Sequence, residues 1–143
     1  MKTPLLFILV MAISMVSCKK DNEEKNCPVT ASSIAGSYKL SAFKYKQSAS
    51  AQEDNWMPVI ESCKQDDVYN LTAAMGFSIQ DAGTVCSPSG DYPNGSWTLE
   101  SNVINMDGFY SGTIESFDCT NLTFYQTDVL VTGDRLTATF SKQ

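Results

Sequence analysis

Few side chains in this 143-residue chain could carry a reaction, and the adjacent acids Asp66-Asp67 are the first to weigh. Two neighbouring carboxylates could hold a cation or share acid-base work. On a strand, however, neighbours point to opposite faces, so these two would not converge. No Asp-x-Asp-x-Asp-Gly calcium loop surrounds them. A strand-entry turn whose carboxylates accept backbone N–H groups accounts for them without a ligand. The chain has no histidine, which excludes Ser-His-Asp and Cys-His catalysis and removes the commonest zinc ligand. No phosphate-binding glycine loop, nucleophile elbow or metal-protease motif occurs. The sequence reads as that of a non-enzyme, with no catalytic residue, metal or cofactor.

The cysteines are the other reactive set: Cys18, Cys27, Cys63, Cys86 and Cys119. No Cys-x-x-Cys pair occurs among them, which removes the main support for zinc-ribbon and thioredoxin-like chemistry. An odd count is awkward for an exported protein unless one thiol is consumed elsewhere. Setting Cys18 aside leaves four, and four cysteines admit three pairings.

Cys18 has a use of its own. An apolar run from Pro4 to Ile13 follows Lys2, with the length of a signal-peptide core rather than a permanent membrane span. Met15-Val16-Ser17-Cys18 follows and resembles the lipobox of bacterial lipoproteins. An ordinary signal peptidase wants small residues at both −1 and −3, and Met15 is too large for it. The lipobox accepts an apolar residue there, more usually leucine. The resemblance implies cleavage before Cys18 and a lipid on that residue, usually three acyl chains in all. Residues 1–17 are then a signal peptide. Residues 18–31 are a lipidated, polar tether, and its run Lys19 to Lys25 cannot offset its own ordering cost by burial. The lysine-then-acid order after Cys18 also resembles an export signal of surface lipoproteins. It points to the outer membrane, on the surface-exposed or the periplasmic face.

Loss of Lys2 with the signal leaves 9 basic against 16 acidic residues, a formal charge of −7. No basic cluster survives to neutralise phosphates, so nucleic acid is excluded as a partner. Anionic lipid headgroups would repel such a domain, and membrane attachment falls to the covalent anchor.

Residues 32–143 must supply whatever fold positions these groups. From Gly36 onward the chain alternates apolar and polar residues in short runs broken by turn residues, which predicts an all-β domain of about eight antiparallel strands. Tyr38, Leu40 and Ala42 share one face, and Phe43 and Tyr45 follow out of phase, so a bulge near Ala42-Phe43 is expected. Later inner faces carry Tyr69 and Leu71, Phe77 and Ile79, Trp97 and Leu99, Ile104 and Met106, Leu122 and Phe124, then Leu136, Ala138 and Phe140. Turns are expected at Met75-Gly76, Ser101-Asn102, Asp107-Gly108 and Gly133-Asp134. Ser48 to Asp54 reads as a polar loop, with Trp56 beyond it as a contact or lid at one end. Eight such strands can close as an up-and-down barrel without free edges. Three Asn-x-Ser/Thr triplets, at Asn70, Asn94 and Asn121, read as coincidental in a bacterial lipoprotein.

Gly36-Ser37-Tyr38 opens the domain where lipocalin-like proteins carry Gly-x-Trp. Cys63, Asp66-Asp67, Tyr69, Leu71, Gly76-Phe77, Cys86 and Gly95-Ser96-Trp97 follow in an order that resembles the lipocalin-like domain of small bacterial lipoproteins. Tyr38 in place of tryptophan and Leu71 in place of an aromatic depart from that pattern. The resemblance spans residues 32–143 and implies a lipocalin-like barrel. It also implies a Cys63–Cys86 disulfide, and with it Cys27 and Cys119 as the remaining pair.

A barrel of this size either fills with side chains or holds one small ligand. Tyr38, Tyr69, Phe77, Trp97, Phe124 and Phe140 are the residues expected to line a ligand site, and the same six could simply be core. The expected protein is a membrane-anchored, monomeric lipoprotein that binds a small apolar or amphipathic molecule. A filled barrel whose loops contact an envelope or host protein is the alternative.

Overall fold

A computed structural model describes residues 27–86, 93–107 and 109–143. The signal peptide, Cys18 and the charged tether expected from the sequence lie outside the described residues, as do residues 87–92 and Gly108.

The strands are β1 (Gly36–Lys46), β2 (Asp54–Asn55), β3 (Val68–Leu71), β4 (Gly76–Gln80), β5 (Asn94–Glu100), β6 (Val103–Met106), β7 (Tyr110–Phe117), β8 (Asn121–Thr127) and β9 (Arg135–Lys142). They form one antiparallel sheet in the order β2-β1-β3-β4-β5-β6-β7-β8-β9, and a β1–β9 pairing closes it into a ring. Apart from the two-residue β2, which lies on the outer edge of β1, the ring is the expected up-and-down barrel of eight strands. The first turn of β1 pairs with β3 through Gly36–Leu71 and Tyr38–Tyr69, and the remainder crosses to β9. That crossing needs a bend, and the register shifts between Leu40 and Ala42, leaving Ser41 as the extra residue. The expected bulge therefore sits one residue earlier than the phase slip implied. A second shift between Ile114 and Ser116 bends β7.

Alternation decides the interior. Trp97, Phe124 and Ile104 are fully buried, and Tyr38, Leu122 and Ala138 nearly so. Burial of each large apolar side chain contributes roughly 1.5–3 kcal/mol. Phe124 stacks on Phe140 with centroids 5.4 Å apart, and Tyr69 meets Phe140 edge-on at 4.8 Å. Gly112 on β7 admits Phe124: a Cβ there would lie 2.9 Å from both the Phe124 ring and the Tyr125 carbonyl oxygen. The Trp97 indole N–H donates to the Thr72 carbonyl at 2.9 Å. The β3–β4 turn is built on Thr72 to Met75, with Met75 in the left-handed region and Gly76 already in β4, one step earlier than the Met75-Gly76 turn expected.

The two ends of the barrel differ. At one end lie the turns at residues 72–75, 101–102 and 118–120 and the short helix α1 (Ala31–Ile34). Thr30 and Ser33 cap this helix reciprocally, each accepting the other's backbone N–H. Ile34 is fully buried, and the Tyr38 hydroxyl donates to its carbonyl. A disulfide joins Cys27 to Cys119 in the β7–β8 turn, and the Cys27 N–H donates to the Phe117 carbonyl at 3.2 Å. The chain before Cys27 therefore enters the domain at this end. The second disulfide, Cys63–Cys86, ties the segment before β3 to the one after β4 at the opposite end.

Candidate functional site: the mouth of the barrel

The end opposite α1, here termed the mouth, is made among the described residues by 47–67, 81–86, 93, 107, 109 and 128–134. Of seven exposed large apolar side chains among the described residues, six belong to these segments: Val59, Val85, Phe109, Val129, Leu130 and Val131. Only Val103 lies elsewhere. Exposed apolar side chains are thus concentrated at one end rather than scattered singly over the surface.

Phe109 connects that surface to the interior. It is 41% exposed, yet its ring lies 5.9 Å from Tyr69 and 5.7 Å from Phe77, both buried. Tyr110 follows on the inner face of β7, paired with buried Met106 and edge-on to Phe124 at 4.8 Å. The Tyr110 hydroxyl oxygen is buried without a hydrogen-bond partner among the described residues. Burial pushes its pKa up to about 12, and the Tyr69 phenol reaches about 12 through burial and the nearby Asp67 charge. Both phenols stay neutral and are available as donors.

Asp67 and Asp81 stand at the rim of the same opening. Asp66 and Asp67 precede β3 rather than lying on it, so strand alternation does not separate them as the sequence reading assumed. Asp67 is two residues from inward-facing Tyr69, and Asp81 two residues from inward-facing Ile79. The β3–β4 ladder ends at Val68–Gln80, so Asp67 and Asp81 occupy the next step. Asp67 is only 3% exposed. Its Oδ1, with Asp66 Oδ1 and Asp81 Oδ1, is buried without a hydrogen-bond partner among the described residues. Asp66 Oδ2 accepts the Thr84 N–H at 2.9 Å, the turn role expected for this pair. The Asp67 carboxyl is held above the usual carboxylate range by burial first and by the Asp81 and Asp66 charges. The Ala82 N–H and Lys64 pull it the other way.

The 128–134 loop is rigid for an electrostatic reason. Asp134 is buried, and its carboxylate accepts the N–H groups of Val129, Leu130 and Val131 at 2.7, 2.8 and 2.9 Å. Burial raises its pKa, but these three donors and the Tyr45 hydroxyl outweigh that and leave it lowered. Gly133, in the left-handed region, donates its N–H to Asp128 at 2.7 Å. Three consecutive aliphatic residues are thereby presented outward on a fixed turn. Trp56 stacks on Tyr45 at 4.2 Å and is held by its own N–H to the Phe43 carbonyl. It is half-buried at the mouth rather than free in a polar loop, because Asp54–Asn55 form β2 against Lys44 and Tyr45.

The six aromatic residues expected to line a ligand site, Tyr38, Tyr69, Phe77, Trp97, Phe124 and Phe140, all belong to one buried cluster. Tyr38 closes the α1 end and Trp97 is anchored to the β3–β4 turn, whereas Tyr69 and Phe77 lie beneath Phe109. Phe109, Tyr110, Asp81 and Asp134 went unrecognised as site residues. Each lies in a turn or at a strand boundary, where alternation carries no signal.

Two further features lie outside the mouth's interior. A polar trough of about 510 Å³ runs over the outer face of β1, β7, β8 and β9, lined by Lys44, Lys46, Arg135, Glu115 and threonine hydroxyls. Two of its three cations are engaged by acids, in the Lys44–Glu53 and Arg135–Glu115 ion pairs at 2.9 and 2.7 Å. Glu61, Cys63 and Cys86 are the only three potential metal ligands within 4.8 Å of one another among the described residues, and both sulfurs are committed to the disulfide. Among the described residues no helix is long and apolar enough to cross a membrane. No protein-family model matches this chain, and no curated protein matches its sequence.

Proposed function

We propose that this chain is a non-enzymatic, membrane-anchored lipoprotein of the outer membrane whose barrel binds a small apolar or amphipathic molecule through its mouth. Phe109 carries the reading: a partly exposed aromatic ring at the rim, in contact with the buried rings of Tyr69 and Phe77, makes a continuous apolar path inward. The partnerless Tyr110 hydroxyl favours a ligand with a polar atom, because a buried donor left unpaired costs about 1–3 kcal/mol. Attachment at Cys18 rests on the lipobox; Cys27, nine residues further on, is bonded to Cys119 at the end away from the mouth.

Native mass spectrometry of the intact protein extracted from membranes tests the binding. A discrete adduct lost in Phe109→Asp supports it, and a bare mass with no uptake of a hydrophobic probe counts against it. Membrane fractionation tests the anchor: Cys18→Ala should move the protein out of the membrane fraction.

The Val129-Leu130-Val131 turn favours a second reading, in which the rim docks an envelope or host protein. Affinity capture with Leu130→Asp as control separates the two, since ligand uptake would survive that substitution and partner capture would not.

A further inference from the structure

Buried carboxylate oxygens without donors are costly unless they are protonated, hydrogen-bonded or completed by a cation. Asp67 and Asp81 sit one step past the last β3–β4 pair, each with a buried Oδ1 that has no hydrogen-bond partner among the described residues. Among the described residues the one lysine acting on Asp67 is Lys64, which Glu61 engages at 2.8 Å. Asp66 adds a third such oxygen beside them, its other oxygen fixed by Thr84. The next inner residues along the strands are Tyr69 after Asp67 and Ile79 before Asp81, with Phe77 one inner position further and Phe109 packed on both Tyr69 and Phe77. Carboxylates above aromatic rings form the pattern that recognises organic cations, by charge and by the ring quadrupole.

We propose that the ligand's polar head is an organic cation, an alkylamine or quaternary ammonium group held by Asp67 and Asp81, with its apolar part directed among Tyr69, Phe77 and Phe109. This rests on the ligand-binding reading above and narrows its chemistry. A bare divalent ion fits less well: the three carboxylates are not gathered within 4.8 Å of one another, and aromatic rings offer a hard cation nothing. An organic cation is larger, tolerates wider spacing, and gains from both the acids and the rings.

The test is calorimetric titration of the full chain in dodecyl maltoside micelles, whose headgroup carries no cation, with protein-free micelles as the blank. The probes are hexyltrimethylammonium, hexanol, hexanesulfonate and calcium chloride. The expected result is saturable binding of hexyltrimethylammonium, roughly tenfold or more tighter than hexanol, with hexanesulfonate weakest. In Asp67→Asn with Asp81→Asn the cation should fall to the affinity of hexanol, while hexanol itself is unchanged. Asp81→Asn alone, at a partly exposed position, should give part of that loss if the double variant does not fold. Equal affinity for hexanol and the cation, an unaltered cation affinity in the variants, or calcium displacing the cation would overturn this inference and leave the ligand-binding reading standing. Binding of none of the organic probes would overturn both.

Discussion

The Tyr45 hydroxyl donates to Asp134 Oδ2 across 3.1 Å, joining the end of β1 to the turn before β9. The same carboxylate holds three successive backbone N–H groups of the Val129-Leu130-Val131 turn. One buried acid thus sets the shape of the most apolar part of the rim.

Asp134→Asn should lower the melting temperature by several degrees at neutral pH, because the amide cannot accept all four donors at once. Since the folded carboxyl is more acidic than the unfolded one, its contribution is present above the ordinary carboxylate range and is lost as pH falls through the folded value. Thermal melts of the wild type against pH should therefore slope downward in acid, and the variant should lose part of that slope. Tyr45→Phe should show a smaller effect of the same sign.

Asp67→Asn should act in the opposite direction. The folded carboxyl of Asp67 is less acidic than the unfolded one, so its contribution to stability is present in acid and is lost as pH rises through the folded value. Asp81, Asp66 and Lys64 are the charges that face it, with the Tyr69 phenol beside it. The asparagine variant should melt higher than the wild type at neutral pH, and the two should converge in acid. A lower melting temperature for the variant at neutral pH would contradict the burial of an uncompensated charge here.

Removal of the Cys27–Cys119 bridge by paired serine substitutions should cost about 4–5 kcal/mol in the chain-entropy model, since it closes the long loop from the leader to the β7–β8 turn. The Cys63–Cys86 bridge closes a much shorter loop and should cost about 3–4 kcal/mol. Denaturant titration of the two double variants checks both the size and the order.

Gly112→Ala should destabilise by about 1–3 kcal/mol, because the added methyl meets both the Phe124 ring and the Tyr125 backbone. The backbone contact cannot be relieved by a rotamer change. Restoring stability with a second substitution, Phe124→Leu, would show only partial rescue.

Much of the barrel was legible because its strands are half-buried and alternate cleanly: Tyr69 with Leu71, Phe77 with Ile79, and Leu122 with Phe124 are inner pairs in sequence and in space. The cysteine pairings followed the lipocalin-like resemblance, and both disulfides are present. What escaped sits where periodicity ends. β2 is two polar residues, too short to alternate, and is defined only by Lys44 and Tyr45 across from it. Asp81 becomes the neighbour of Asp67 through the β3–β4 register, a relation between residues fourteen apart that no local pattern encodes. Phe109 lies in a turn and Tyr110 at a strand start, so neither could be assigned to the interior before the ring was closed.

The Cys27–Cys119 bridge also fixes where mechanical load enters the domain. A pull on the chain before Cys27 passes through the sulfur atoms to the turn between β7 and β8. There it is shared by two long strands paired to neighbours on both sides. Without the bridge the same pull would arrive through α1 at the first residues of β1 and unzip the β1–β3 seam, which is only three pairs long. The disulfide acts as a strain relief: it diverts tension away from the seam that would open first.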